Sequence, residues 1–292
     1  MNNKLIQNYI NKKHYYENLT HTIRSLLKIL LEEAKINYQK IESRTKKVSS
    51  LENKINLKLL SNKQYKNLDE ITDLSGIRII VFFKDDIFKV INLIEKEFKI
   101  YKEKSLDTHL NINKSPKEFG YQSLHRIVTI NKSRSNLKEY KKFKNTKCEI
   151  QIRTVLQHAW AEIEHDIGYK SEIKESDQDR IELTRLLSQN AALLEIADDA
   201  FVKSKNLYKN IIDQYKNKIK NNNFNLPFNI DSMREFLEYH PTIQSNTSHD
   251  LNSKNIQASA VLKKAKNKKI SNFKKFNLNQ NNNKTELSKK IK

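Results

Sequence analysis

The chain has 292 residues, 37% apolar and 30% charged, with a net charge of +21, one cysteine and three glycines. One cysteine excludes an internal disulfide, and the longest apolar run, 77–83, is interrupted by Arg78 and too short to cross a bilayer. No signal-like apolar stretch opens the chain, so the expectation is a soluble cytoplasmic protein with no membrane association, whose positive charge points to polyanionic partners.

In chain order, Leu19, Ile23, Leu26, Leu27, Leu30, Leu31 and Ala34 recur at helical spacing and predict a helix over 14–41. Leu51, Ile55 and Leu59 predict a second, basic helix over 50–60. Residues 77–83 read as a buried strand, 85–98 as a helix, and 100–104 as a short strand. Residues 123–130 and 148–153 read as further strands, with the charged stretch 132–145 between them as a loop or mobile segment. A helix over 154–169 carries an apolar stripe of Leu156, Trp160, Ile163 and Ile167. Its other side holds His158, Glu162, His165 and Tyr169. Residues 181–221 predict one or two long helices, with Leu186, Leu187, Leu193, Leu194, Ile196 and Ala197 as the contact face. A short helix over 231–238 follows, with Asp231 as its N-cap.

The last stretch is different. Residues 251–292 hold twelve lysines against one glutamate, together with an asparagine run, and read as disordered. The division along the chain is a helical segment over 1–43, a core over 44–175, helices packed on it over 176–222, a short helical segment over 223–245 and the tail over 246–292. Helices flanking four to five strands make an α+β fold built on a mixed sheet.

The strand at 148–154 is the most informative segment. A period of two places Glu149, Gln151 and Arg153 on one face and Cys148, Ile150 and Ile152 on the other. Such a face is either simply solvated or chemical, and its company decides. Gly76 and Gly120 precede strands in a glycine-poor chain, which reads as unusual turns or close backbone approaches. They would set Asp73, Lys117 and Tyr121 along one rim of the sheet. Arg44, Lys46 and Lys54 make a basic patch, with Ser50 near a helix start, where backbone N–H groups favour phosphate. Carboxylates from Asp73 and Glu149 would suit Mg²⁺, which takes one or two of them plus substrate phosphates. Neither glycine segment has Walker or Rossmann spacing. The combination points to phosphoryl-type transfer from a nucleoside triphosphate.

Four segments carry a resemblance: Arg44-x-Lys46, Asp73-x-x-Gly76-Ile77-Arg78, the run from Gly120 to His125, and the run from Glu149 to Thr154. In this order they resemble the RelA/SpoT-type alarmone synthetase domain, a nucleotidyltransferase-like fold. The resemblance implies a GTP pyrophosphokinase that moves the β,γ-pyrophosphate of ATP to the 3′-hydroxyl of GDP or GTP. It implies ATP phosphate binding by Arg44, Lys46, Ser50 and Lys54 with support from Arg78, and Mg²⁺ on Asp73 and Glu149, with Glu149 also the base. Tyr121 would stack on guanine, Lys117 and His125 would hold acceptor phosphates, and Gln151, Arg153 and His158 would complete the acceptor side. With 43 residues before Arg44, the expectation is a small stand-alone synthetase without the hydrolase domain of long relatives. Relatives that pyrophosphorylate the 3′ end of tRNA, relatives that make adenosine alarmones, and an inactive binding module leave the acceptor open. A homo-oligomer and an antitoxin are further partners that the resemblance implies.

Overall fold

The computed structural model describes residues 2–101, 103, 105–107, 124–169, 178–239, 251–268 and 270–276. They fall in two compact units, Met1–Val202 and Lys203–Lys292. No helix among the described residues is long and apolar enough to cross a membrane.

In the first unit the described strands are β1 (Lys40–Thr45), β2 (Ser75–Val81), β3 (Phe98–Ile100), β4 (Leu106–Asp107), β5 (Leu124–Ile130) and β6 (Cys148–Thr154). They form one mixed sheet in the order β1-β2-β6-β5-β3, with β4 paired to β5. Only β2 and β6 run parallel. Alternation along the strands turns Ile77, Ile79, Val81, Cys148, Ile150 and Ile152 to one face, where all are buried. There they pack with Leu19, Ile23, Leu27 and Leu31 of α1 (Asn2–Glu33) and with Ile87, Val90 and Ile94 of α3 (Lys84–Glu97). The expected α+β fold with a mixed sheet is what forms. A second cluster joins Tyr9 and Tyr16 of α1 to Leu51 and Ile55 of α2 (Val48–Leu60), beside Leu68, Ile71 and Leu74.

The helix expected over 14–41 starts earlier and stops at Glu33. The Ile36 N–H reaches back to the Leu31 carbonyl at 3.0 Å, with Lys35 at φ 53°. That is a left-handed helix stop, of the kind glycine usually makes. Asn62 and Asn222 occupy the same conformation, each at φ 55°, after α2 and α6 (Gln178–Lys220). Among the described glycines none has positive φ, and Gly120 lies outside the described residues. Beyond the helix, β1 was unforeseen because Ile41 is its single apolar residue.

The charged stretch 132–145 is an ordered return rather than a mobile loop. It forms a 3₁₀ turn over Arg134–Asn136 and α4 (Lys138–Lys141). Phe143, fully buried, anchors it with its ring centroid 5.4 Å from that of Tyr15.

The helix expected over 154–169 ends its α-helical part early, as α5 (Val155–Ile163), and continues as a π-turn over Glu164–Tyr169. The Thr154 side chain caps it, accepting the Gln157 N–H at 3.1 Å. The wider π-turn shifts the phase, so the 4-3-4 spacing no longer defines one face. Trp160 is buried, but Ile163 and Ile167 are exposed. On α6, Leu187, Ala191 and Leu194 meet Trp160, whose Nε1 donates to the Leu187 carbonyl at 3.1 Å. Leu186, Leu193 and Ile196, expected in that contact, are exposed. Each turns away because 100° per residue separates Leu186 from Leu187 on the helix.

In the second unit, Ile219 of α6 packs with Met233, Phe236 and Leu237 of α7 (Ile230–Tyr239) and with Ala258, Leu262 and Ala265 of α8 (Leu251–Asn267). Ile270, Phe273 and Phe276 complete this core. Within the tail expected to be disordered, the described residues 251–268 and 270–276 are therefore folded. The tail's sparse apolar residues suffice because Phe273 and Phe276 both pack on the ring of Phe236, the second edge-on. The cap of α7 is Asn229, not Asp231: its Oδ1 accepts the Ser232 N–H at 3.0 Å.

Candidate active site

The register of the sheet assembles the site. On the face opposite the core, Arg44, Gly76, Glu149 and Ile127 lie in one row across β1, β2, β6 and β5. The next row is Glu42, Arg78, Gln151 and His125, and a third joins Lys40, Ile80 and Arg153. A Cβ at Gly76 would meet the Arg44 carbonyl at 3.4 Å, an ordinary contact. Gly76 is thus not forced by its backbone; it keeps the floor low between Arg44 and Glu149.

This face is the floor of a cleft of about 890 Å³, lined by Arg44, Lys46, Asp73, Gly76, Arg78, Glu149, Gln151 and Arg153. These eight residues, all singled out in the sequence, therefore converge in one cavity. Asp73 precedes β2, and its Oδ2 lies 2.6 Å from Lys46 Nζ and 2.8 Å from Lys54 Nζ. Burial alone would raise this carboxyl, but the two ammonium groups hold it below its ordinary value. Asp73 Oδ1 is buried with no hydrogen-bond partner among the described residues, which leaves one lone-pair site for a cation.

Glu149 is held from both sides. His125 Nδ1 lies 3.0 Å from Oε1, and Gln151 Nε2 donates to Oε2 at 3.0 Å. Arg153 Nη2 in turn donates to Gln151 Oε1 at 2.9 Å, extending the chain along β6. Burial pushes the Glu149 carboxyl up and the nearby charge of Asp73 adds to that, yet the bonds from His125 and Gln151 leave it below its usual value. The group is ionised at neutral pH, and the two carboxylates are close enough to sense each other. Among the described residues no group of three or more His, Cys, Asp or Glu could hold a metal. Two carboxylates suit a hard cation that takes its remaining ligands from phosphate oxygens and water.

The rim is built by Arg78, whose Nη1 donates to Glu162 Oε1 of α5 at 2.8 Å and lies 3.3 Å from Glu42 Oε2. His158 Nδ1 stands 3.7 Å from the same Glu162 oxygen, and burial together with the Arg78 charge lowers its pKa. Ser50 sits in the first turn of α2, whose N-cap, Lys47, makes no side-chain cap, so the first N–H groups there carry no side-chain acceptor. Arg44 is exposed and meets no carboxylate among the described residues. Lys117 and Tyr121 lie outside the described residues.

Three cleft residues escaped the sequence reading. Lys40 and Glu42 stand on β1, four and two residues before Arg44 on the same face, and would have been visible had that strand been recognised. Arg24 interrupts the apolar pattern of α1, and its Nε donates to the Ile41 carbonyl at 3.2 Å, beside the cleft. Nothing local marks it.

A family model described as "Region found in RelA / SpoT proteins" matches residues 43–174. The chain is 36% identical over 133 residues to the GTP pyrophosphokinase YwaC of Bacillus subtilis (strain 168), covering 44% of this chain and 57% of that protein. It thus spans little more than half the length of this curated relative. The solved structure of small alarmone synthetase 2 from Bacillus subtilis is 28% identical, with a TM-score of 0.53 over 68% of this chain and 98% of the other. Small alarmone synthetase 1 from the same organism, 21% identical, shares the fold with a TM-score of 0.54 over 70% of this chain and 99% of its own.

Proposed function

Because residues 43–174 match the model of a region found in RelA/SpoT proteins, we propose that the protein is a GTP pyrophosphokinase, transferring the β,γ-pyrophosphate of ATP to the 3′-hydroxyl of GDP or GTP. The observation that carries this is the convergence of Asp73 and Glu149 with Arg44, Lys46 and Arg78 in one cleft. That arrangement pairs two ionised carboxylates with a ring of cations, which phosphoryl transfer requires for positioning and charge neutralisation. The similarity to a GTP pyrophosphokinase and to alarmone synthetases supports the same reading.

In this reading Glu149 takes the proton from the acceptor 3′-hydroxyl. The 3′-oxygen bonds to the β-phosphorus of ATP, the bond from that phosphorus to the α,β-bridging oxygen breaks, and AMP leaves with that oxygen. Arg44 and Lys46 stand where the triphosphate would lie, with Lys54 beside them through Asp73 and the first turn of α2 offering its N–H groups. Asp73 and Glu149 would hold Mg²⁺, since Asp73 Oδ1 lacks a partner and the two carboxylates repel. Bound there, the ion would draw charge off the phosphoryl oxygens. His125 acts first on Glu149, fixing its orientation, and Gln151 and Arg153 extend the floor toward the acceptor. With nucleotide substrates, the reaction we propose would run in the cytoplasm.

The test is transfer of label from γ-labelled ATP by the purified protein. Label in ppGpp or pppGpp is expected, and it should vanish on chelation of divalent ions. Label in deacylated tRNA with none in guanine nucleotide would move the acceptor to the tRNA 3′ end. Transfer to neither would overturn the enzyme reading.

A further inference from the structure

We propose that the C-terminal half of α8 and the turn after it bind the phosphodiester backbone of a nucleic acid. This surface lies outside the family match at 43–174 and in the second compact unit. Over 251–276 the sequence has eight lysines and neither Asp nor Glu. Lys263, Lys264, Lys266, Lys268, Lys274 and Lys275 are exposed, and among the described residues none of them meets a carboxylate. Three acids of the unit are engaged elsewhere. Glu238 pairs with Lys254 near the start of α8 at 2.8 Å, and Asp231 and Glu235 lie 3.1 and 3.2 Å from Arg234.

The six ammonium groups are held on a rigid frame, because Leu262, Ala265, Ile270, Phe273 and Phe276, interleaved with them in sequence, are buried in the phenylalanine core. Unpaired like charges crowded within a few turns repel one another, and a polyanion relieves that repulsion. The same interleaving decides which polyanion. A membrane-binding helix needs an exposed apolar face, but here the apolar residues among the lysines face inward. The exposed Leu251 and Ile256 lie toward the other end of α8. A protein interface needs an apolar or aromatic anchor, and none is exposed among these lysines. What remains is a point-charge surface suited to backbone phosphates, independent of sequence and steeply sensitive to salt.

This inference uses no residue of the cleft, so it stands or falls separately from the proposed activity. The experiment titrates the full chain against fluorescein-labelled 20-nucleotide single strands, one RNA and one DNA, in 50 to 200 mM KCl. Six contacts at about 0.7 released counterions each give a log–log salt slope of about −4, hence a loss of about 100- to 300-fold over that range. A variant with Lys263→Gln, Lys264→Gln, Lys266→Gln and Lys268→Gln should bind more weakly and lose about 3 from the slope on whichever strand binds. A control with Lys4→Gln, Lys12→Gln, Lys35→Gln and Lys63→Gln, equal in net charge, should bind like the unaltered protein. Far-ultraviolet circular dichroism verifies that the first variant is folded. Equal loss in both variants would reduce the effect to net charge and overturn the proposal. Absence of binding to either strand at 50 mM KCl would overturn it too, as would binding only to vesicles of phosphatidylcholine with one-fifth phosphatidylserine.

Discussion

His125 Nδ1 and Glu149 Oε1 stand 3.0 Å apart on neighbouring strands, a diagonal contact two residue pairs off the register that sets His125 opposite Gln151. The histidine, expected from the resemblance on acceptor phosphates, is thus a direct partner of Glu149, the carboxylate proposed as the base. With Gln151 on the other oxygen, the carboxylate is fixed and ionised before substrate arrives. Glu149→Gln keeps the shape and both neighbours but cannot take a proton. Transfer should fall by about 10²- to 10⁴-fold, the worth of a general base, with ATP binding retained in equilibrium dialysis. Near-normal transfer by this variant would remove Glu149 from the chemistry.

Trp160, the chain's single tryptophan, reports on the docking of α6. It is buried against Ala191 and Leu194 and donates to the Leu187 carbonyl. Trp160→Phe should keep most of the packing and lose one hydrogen bond, about 1 kcal/mol. Trp160→Ala should cost about 3–5 kcal/mol. Urea unfolding followed by circular dichroism measures both, and equal effects would mean that packing contributes little there.

Asp198 gives a pH prediction. Thr154 Oγ1 donates to its Oδ2 at 2.7 Å, while Oδ1 is buried without a partner among the described residues. Burial pushes the carboxyl above its ordinary value despite that bond and the charge of Lys84. A raised folded-state value means that stability is fully present below the ordinary Asp range and is lost as pH rises through the folded value. Asp198→Asn cannot ionise and can still accept from Thr154. It should match the unaltered protein near pH 3 and become the more stable of the two as pH rises to 7. Urea midpoints at several pH values decide, and a variant that loses ground with rising pH would contradict the assignment.

The folded C-terminal unit rests on Phe273, whose ring centroid lies 4.9 Å from that of Phe236 and 5.0 Å from that of Phe228. Phe273→Ala should remove about 3–5 kcal/mol from that unit. Protection from hydrogen exchange should then be lost selectively in α7 and α8, with the sheet still protected. Trypsin should cut the lysine-rich part of α8 in the variant first. Uniform loss of protection over the whole chain would show that the unit has no stability of its own.

Legibility in the sequence followed periodicity. Strands β2 and β6 and helix α3 could be read to within two residues because each has one apolar face and a core to bury it in. The edge strand β1 was missed, because an edge with a single apolar residue has no pattern to read. Its loss hid Lys40 and Glu42, and it stretched the preceding helix to 41. The stop at Glu33 had no glycine or proline to mark it, since Lys35 takes the left-handed position. The C-terminal unit failed for another reason. Composition alone suggested disorder, and only three distant phenylalanines meeting in space supply enough apolar contact to fold it.

The strand Cys148–Thr154 shows where the division falls. Its period of two fixed that Glu149, Gln151 and Arg153 share a face and that Cys148, Ile150 and Ile152 enter the core, because side-chain direction is a local property of the backbone. Which groups meet that face was not local. Register across four strands placed Gly76 and Arg44 in the row of Glu149, and His125 opposite Gln151. Chain segments up to about a hundred residues apart supply these partners, and only the packing of both sheet faces selects one register among the many that alternation allows.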